Sequence, residues 1–443
     1  MAGLIGIVLT IGSLILAVLK NIYIGFPLLL GYAYFTALNL IRGRSFAQIY
    51  DMSKEGAKKA FIVIPIILLI GCVVATWMAA GTVGALVYYS SSLISPFLFI
   101  FFAFILPSLI STLLGTSFGT VGTIGVILMV LARGGGVDPY ITAGAIISGS
   151  FVGDRCSPMA SLLYFLSSVT ETDVYTNMKM LMKTTLLPYA LSAVLFLIVS
   201  LNHPLLVGQS SLRQDIYDNF NIGFLAFVPA IIIIVLAACK TNVKISLLAS
   251  AVCAALLAVF IQGMDAAELA STLLWGFHPG QENALAGIIQ GGGMWGMVKT
   301  GIIMLVACSL AGVLEGAGML DRLQKLLLQP CGRFVLYIKT MLIAMLGLVC
   351  GCTQVISVVI TWRLMKRPYE LCGLDKSELA RDISFTSLPL AAAIPWNLAA
   401  MVPLATLGIK NARHTPYLFF PFLLSLCYGI LYASGGRTKR RKT

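Results

Sequence analysis

Four short stretches place oxygen ligands and ionisable groups inside otherwise apolar sequence, which is the chemistry of holding a small cation or a proton. GTSFGTVGTIG, residues 115–125, contains four glycines, three threonines and a serine. Such a run disfavours helix, since glycine costs ~1 kcal/mol against alanine. At membrane depth non-helical backbone is tolerated only where it is buried or lines a wet cavity. There the freed carbonyls and the hydroxyls of Thr116, Ser117 and Thr120 can replace a cation's water shell. The alternative is close helix packing through small residues. GDRCSPMAS, 153–161, adds Asp154, Arg155 and Ser157. Ionisable residues in an apolar span are expensive and usually functional. Pro158 removes a helix hydrogen bond, and a broken helix offers dipole ends beside the carboxylate, a site for a monovalent cation or a proton. The alternative is an Asp154–Arg155 pair that locks the break.

The other two stretches lie in the second half. GCTQVIS, 351–357, supplies Thr353, Gln354 and Ser357, and SLPLAAAIPWNLAA, 387–400, is interrupted by Pro389 and Pro395 and carries Asn397. Ser384, Thr386 and Ser387 add oxygens near its start. Glu315 in AGVLEGAGML either takes part in proton coupling or an interdomain bond, or is solvated near an interface. Cys350 and Cys352 suit packing better than soft-metal ligation, and with no CxxC and no histidine cluster a structural zinc site is not expected. His203, His278 and His414 fall in outer loops or at span ends, away from the core.

The elements that must position these groups are membrane helices. Of 443 residues, 59% are hydrophobic and 11% charged, with a mean hydropathy of +0.95, against about a quarter charged in soluble domains. A spanning helix needs ~20 mostly apolar residues, and the chain supplies about ten such runs: 3–19, 22–41, 61–87, 140–168, 186–202, 222–239, 245–262, 300–318, 384–408 and 415–433. The runs are continuous rather than alternating, unlike a β-barrel. The first has no basic n-region before it and is expected to be a retained helix rather than a signal peptide.

Charge sets the topology. With the tail Arg437–Lys442 inside, the connections 42–60, 170–184, 240–244, 320–339 and 363–382 also fall inside, and these with the tail hold 23 of the 30 Lys and Arg residues, as the positive-inside rule predicts. Both termini are then cytoplasmic, and 42–60 is expected to be an amphipathic helix on the inner surface. This closes only if 98–133 and 340–363 each enter and leave on one face, as two opposed re-entrant hairpins. Gly81 and Gly316, Gly115 and Gly351, and Pro158 and Pro395 are separated by 235, 236 and 237 residues. The basic loop 42–60 answers 263–298, which has Asp265, Glu268 and Glu282 and no Lys or Arg. The expected fold is therefore an all-α polytopic membrane protein with an inverted-topology repeat, 1–205 (hairpin 98–133, broken helix 140–168) and 206–443 (hairpin 340–363, broken helix 384–408), a pattern of secondary transporters.

Taken together and in order, GTSFGTVGTIG, AGAIISGSFVGDRCSP, GVLEGAGML and IPWN resemble the NhaC-type sodium/proton antiporter family of the ion transporter superfamily, from about the third helix to the last. The resemblance implies a homodimer with a scaffold and a mobile transport domain, working by elevator-like alternation. It implies exchange of sodium for protons or, in some members, sodium- and proton-linked exchange of small carboxylates such as malate and lactate. Carried over by motif, Thr116, Ser117, Thr120, Asp154, Ser157, Asn397 and the 351–354 tip, with Thr353 and Gln354, are the binding residues. The family typically reads Ser-Asp-Thr-Thr after its GDxxSP motif, whereas this chain has Ala160, Ser161, Leu162 and Leu163. The second carboxylate is missing, and two adjacent carboxylates would split their titrations.

That departure keeps a second expectation open, a coupled transporter of an amino acid or carboxylate held by Arg155 or the tip amides. An enzyme is not expected, since no in-span histidine or nucleophile–base dyad is present. Neither a cofactor nor nucleic acid is expected; the partners are membrane lipid, a second copy of the chain, and sodium, protons or a small organic solute, in the cell membrane.

Overall fold

The computed structural model describes residues 2–20, 22–90, 95–205, 209–239, 241–279, 285, 288–317 and 331–434. The basic tail from Arg437 to Lys442, Lys240, Glu282 and residues 320–330 of the long inside connection lie outside the described residues. Among the described residues the fold is helical, with one isolated bridge between Phe277 and Gly291. Among the described residues, seven helices are long and apolar enough to cross a membrane, or nine if each of two bent pairs counts as one span. The chain is thus a multi-pass membrane protein.

Helices α1 (Ala2–Leu19), α2 (Gly25–Ile41) and α3 (Phe46–Ala79) come first. A reciprocal cap between Ser45 and Gln48 starts α3, satisfying backbone N–H groups that a helix start leaves free. From there α3 runs 34 residues without interruption through Pro65. The basic segment expected as a separate surface helix is instead the first turns of this span. After α4 (Thr82–Ser90) come α5 (Phe99–Leu114), α6 (Ser117–Gly134), α7 (Pro139–Cys156), α8 (Ser161–Thr170) and α9 (Val174–Asn202). The second half follows with α10 (Gln209–Asn219), α11 (Val228–Ala238), α12 (Val243–Phe260), α13 (Ala266–Trp275) and α14 (Met294–Gly316). It ends with α15 (Arg333–Gly351), α16 (Gln354–Leu371), α17 (Lys376–Thr386), α18 (Leu398–Thr406) and α19 (Phe419–Ala433). The expected hairpin 340–363 is longer than its apolar stretch: α15 and α16 take in Arg333, Lys339, Lys366 and Arg367 as well.

The helices pack mainly in two groups, α1–α3 with α11–α14 and α5–α9 with α15–α17 and α19, while α18 lies between them against α14 and α3 on one side and α6 on the other. Lipid hydrocarbon is as apolar as leucine, so helices associate through close packing of small residues. In the first group, a methyl on Gly56 would lie 2.1 Å from the Cys308 carbonyl oxygen, and one on Gly312 would lie 2.3 Å from that of Met52. Lys59 Nζ reaches Glu315 Oε2 at 3.0 Å and Arg44 donates to the Gly316 carbonyl at 2.8 Å, tying the start of α3 to the end of α14.

In the second group α7 lies on α5. Gly149 faces the Phe104 carbonyl and Gly153 faces Ser111, so the two helices run parallel. Helix α6 runs back along α7, with Ser117 at Asp154 and Gly125 at Ile146. Pro96 and Gly135, at the two ends of this excursion, both touch Leu205. Helices α15, α16 and α17 repeat the arrangement: Thr340 bonds Tyr369, Tyr369 bonds Asp382, and Ser357 bonds Ser387. Between the halves, Asn411 donates to the Tyr140 hydroxyl and Glu171 pairs with Lys376, so α7–α8 and α17–α18 run in opposite directions. The Lys376 ammonium beside it holds the Glu171 carboxyl below its usual range.

This packing predicts an asymmetry between glycines. In Gly153→Ala the new methyl would meet the Ser111 backbone at 2.0 Å, and overpacking of this kind costs about 1–3 kcal/mol. Gly12→Ala in α1 meets nothing within 4 Å and should gain up to ~1 kcal/mol. Thermal unfolding in detergent should show a lowered midpoint for the first variant and an equal or raised one for the second.

Candidate functional site

The junction of α5 and α6 is a tip at Gly115 and Thr116. Gly115 adopts φ +68°, and a side chain there would meet the Met159 backbone at 2.6 Å, so a non-glycine residue is excluded twice over. Thr116 is extended and α6 starts at Ser117, then loosens into a π-helical turn at Val121–Gly125, a distortion frequent at functional sites. Facing the tip, α7 ends at Cys156, Ser157 turns extended, and the chain passes through Pro158 before α8 begins. Ser157 Oγ accepts from the Met159 N–H at 3.1 Å and holds the break.

Asp154 lies in the last turn of α7, buried against the tip, and its Oδ2 accepts from Ser117 Oγ at 3.0 Å. Among the described residues no Lys, Arg or His nitrogen comes within 4.0 Å of it. Arg155 does not pair with Asp154. It points the other way and donates to the Ser384 carbonyl at 3.2 Å, the Leu181 carbonyl at 3.2 Å and the Thr185 hydroxyl, with its guanidinium 5.3 Å from the Phe385 ring centre. Its partners on α9 and α17 are neutral. A cavity of about 290 Å³ adjoins the tip and the break, with Thr116, Gly119, Pro158 and Met159 on one wall and Ile233, Thr241, Ser246 and Leu247 of the other helix group opposite.

Ser117 and Asp154 are thus brought into contact, with Thr116 next to Ser117 at the tip and Ser157 at the break that follows Asp154, while Thr120 bonds to the Thr116 carbonyl at 2.8 Å. Thr353, Gln354 and Asn397 form a separate cluster at the α15–α16 tip and the break before α18. Helix α18 in turn packs on α6. Glu315 is elsewhere, half-exposed and paired with Lys59. His414, expected away from the core, is instead fully buried in the turn after α18, where burial pushes its imidazole down to about 4, so it is uncharged near neutral pH. Among the described residues no group of three or more His, Cys, Asp or Glu side chains is placed to hold a metal ion.

One buried acid escaped the sequence reading. Asp382 accepts from the hydroxyls of Tyr369 at 2.6 Å and Tyr432 at 2.9 Å, and pairs with Arg333 at 2.5 Å. Its signal was local: Asp375 caps α17, which puts Asp382 two turns inside the helix and not in the basic connection.

The sequence profile of the Na+/H+ antiporter family matches residues 2–162 and 151–436. Among curated relatives, the malate-2H(+)/Na(+)-lactate antiporter of Bacillus subtilis is 27% identical over 98% of this chain and 97% of its own length. The Na(+)/H(+) antiporter NhaC of Alkalihalophilus pseudofirmus is 28% identical over 87% and 85%. The arginine/ornithine antiporter ArcD of Halobacterium salinarum is 25% identical over 92% and 86%.

The geometry makes Ser117 the hydroxyl donor to Asp154. A hydrogen bond to a charged group is worth about 1.5–3 kcal/mol, so if Asp154 holds a cation, Ser117→Ala should weaken its binding roughly tenfold or more. Thr123→Val, which removes bonds made only within α6, should leave it unchanged. Thermal stabilisation by sodium chloride relative to choline chloride measures both.

Proposed function

The chain belongs to the Na+/H+ antiporter family, and from that premise we propose how it exchanges the two ions: Asp154 holds sodium and a proton alternately, with Ser117, Thr116 and Ser157 supplying neutral oxygens. It is a transporter and not an enzyme. The observation that carries the reading is a buried carboxylate with no cationic partner among the described residues. An isolated charge in such a place is strongly disfavoured unless it is paired or neutralised. A proton or a sodium ion each relieves that penalty, and both cannot occupy the carboxylate at once, which is the competition antiport requires. No cofactor takes part.

The finer architecture belongs to the same proposal. Parallel α5 and α7, and the common contact of Pro96 and Gly135 with Leu205, support a hairpin over 96–134. The opposite run of α7–α8 and α17–α18 supports a second, inverted one over 333–371. With the more basic face cytoplasmic, both termini are cytoplasmic and the cavity beside Thr116 faces inward. The two helix groups serve as scaffold (α1–α3, α11–α14) and, together with α18, as moving unit (α5–α9, α15–α19) in an elevator-like cycle within a homodimer.

A second reading has its own observation. A cavity of about 290 Å³ is close in size to small-molecule pockets of ~300 Å³ and above, and the wall mixes hydroxyls with leucine and isoleucine. With relatives named for lactate, malate, arginine and ornithine exchange, sodium-linked movement of a small organic acid or amino acid is the alternative.

Reconstituted in tight liposomes with an internal pH dye, the protein should move protons promptly when a sodium gradient is imposed, and Asp154→Asn should not. Because protonation of the carboxyl removes the sodium site, the apparent KM for sodium should rise as pH falls, approaching tenfold per unit once the carboxyl is mostly protonated. Proton movement that persists in Asp154→Asn would overturn the assignment. No proton movement with the native protein, together with counterflow of labelled lactate or arginine, would favour the second reading.

A further inference from the structure

We propose that the second hairpin tip is a latch and not an ion site, so that each chain binds a single sodium ion per cycle. The inference rests on the assignment of Asp154 as the cation-binding carboxylate. Gly115 and Cys352, 237 residues apart, share the left-handed conformation at the two tips, with φ +68° and +54°. Pro158 and Pro395 mark the two breaks at the same separation. Position for position, Asp154 then corresponds to Ala391, and the second tip has no charge of its own.

Six of its oxygens are also already engaged. The Leu348 carbonyl accepts from Asn397 Nδ2 at 3.0 Å, that of Val349 from Trp396 Nε1 at 3.0 Å, that of Cys352 from the Leu398 N–H at 2.9 Å, and that of Leu388 from Gln354 Nε2 at 2.6 Å. Asn397 Oδ1 accepts from the Ala399 N–H and Thr353 Oγ1 from that of Ile356. A cation there would have to displace these donors with no carboxylate to offset the loss. At the first tip, by contrast, Thr116 makes no capping bond and a cavity lies alongside. That cavity is lined by Thr116 and Pro158, with Ser117, Asp154 and Ser157 behind them, whereas the cavity that touches Pro395, about 380 Å³, is lined by none of Thr353, Gln354 and Asn397. A non-glycine residue in the left-handed region persists only when its surroundings hold it, and at Cys352 the bonds across the break do so. Asn397 and Gln354 are on this view positioning residues: they fasten the hairpin to α18 so that tip and broken helix travel together.

Sodium titration of the purified protein, followed by thermal stabilisation and by equilibrium binding of labelled sodium, should give a Hill coefficient of one and one ion per chain. Asn397→Ala, or Gln354→Ala should the first not fold, should keep the sodium Kd within about twofold, lower kcat, and leave the KM for sodium unchanged. A merely structural role would lower the melting midpoint without that kcat-against-KM split. Two ions per chain, a Hill coefficient approaching two, or a tenfold weaker Kd in either variant would overturn the latch. Sodium binding unaffected by Asp154→Asn would instead overturn the assignment of Asp154 and the latch with it.

Discussion

The structure is organised around the difficulty of keeping a carboxylate ionised inside a membrane protein. Three buried charged side chains meet that difficulty in different ways. Asp382 has two partners on each oxygen, counting Arg381 at 3.7 Å, and is spent on holding α15, α16, α17 and α19 together. Arg155 is surrounded by carbonyls and hydroxyls of α9 and α17 and fixes the end of α7. Asp154 alone has no charged partner among the described residues and is held only by Ser117, through its hydroxyl and its backbone N–H. The contrast separates stabilising polar groups from working ones: a saturated network resists change, whereas an undersatisfied buried group has free energy to gain from a ligand.

Leaving Asp154 undersatisfied demands precision from its surroundings. The tip reaches the break only because Gly115 can take a positive φ beneath Met159, and α7 reaches α5 only because Gly149 and Gly153 present no side chain to the Phe104 and Ser111 backbones. In water such gaps would be closed by burying larger residues. In a membrane, contact between backbones is itself a main source of cohesion, so the glycines that allow the helix to be broken also bind the fragments together.

Much of this was legible in the sequence. The four motifs mark both helix junctions and both breaks, and Ser117 of one motif does meet Asp154 of another. The legible signals were compositional: glycine and hydroxyl runs in apolar surroundings, and prolines within spans. What escaped was set by long-range geometry. The neighbours Asp154 and Arg155 suggest a pair, but in the last turn of a helix consecutive side chains point about 100° apart, and Arg155 finds α9 and α17 instead. The sequence matches Gly115 to Gly351, but the residue of the second half that shares its left-handed conformation is Cys352. The charge of the 42–60 segment suggests a surface helix and masks the continuity of α3, although Ser45 and Gln48 have the spacing of a helix-starting cap.

That continuity has a consequence for how the protein sits in its bilayer. At 1.5 Å per residue, α3 is about 50 Å long, against a hydrocarbon layer of about 30 Å. Lys54 and Lys58 are exposed in its first turns, so that end stands among headgroups or in water. A stiff rod whose charged foot resists entering hydrocarbon, clamped to α14 through Gly56 and Gly312, acts as a depth gauge. It registers the protein against bilayer thickness, and a thicker or thinner membrane must deform around it or tilt it, at a fraction of a kcal/mol per ångström of mismatch.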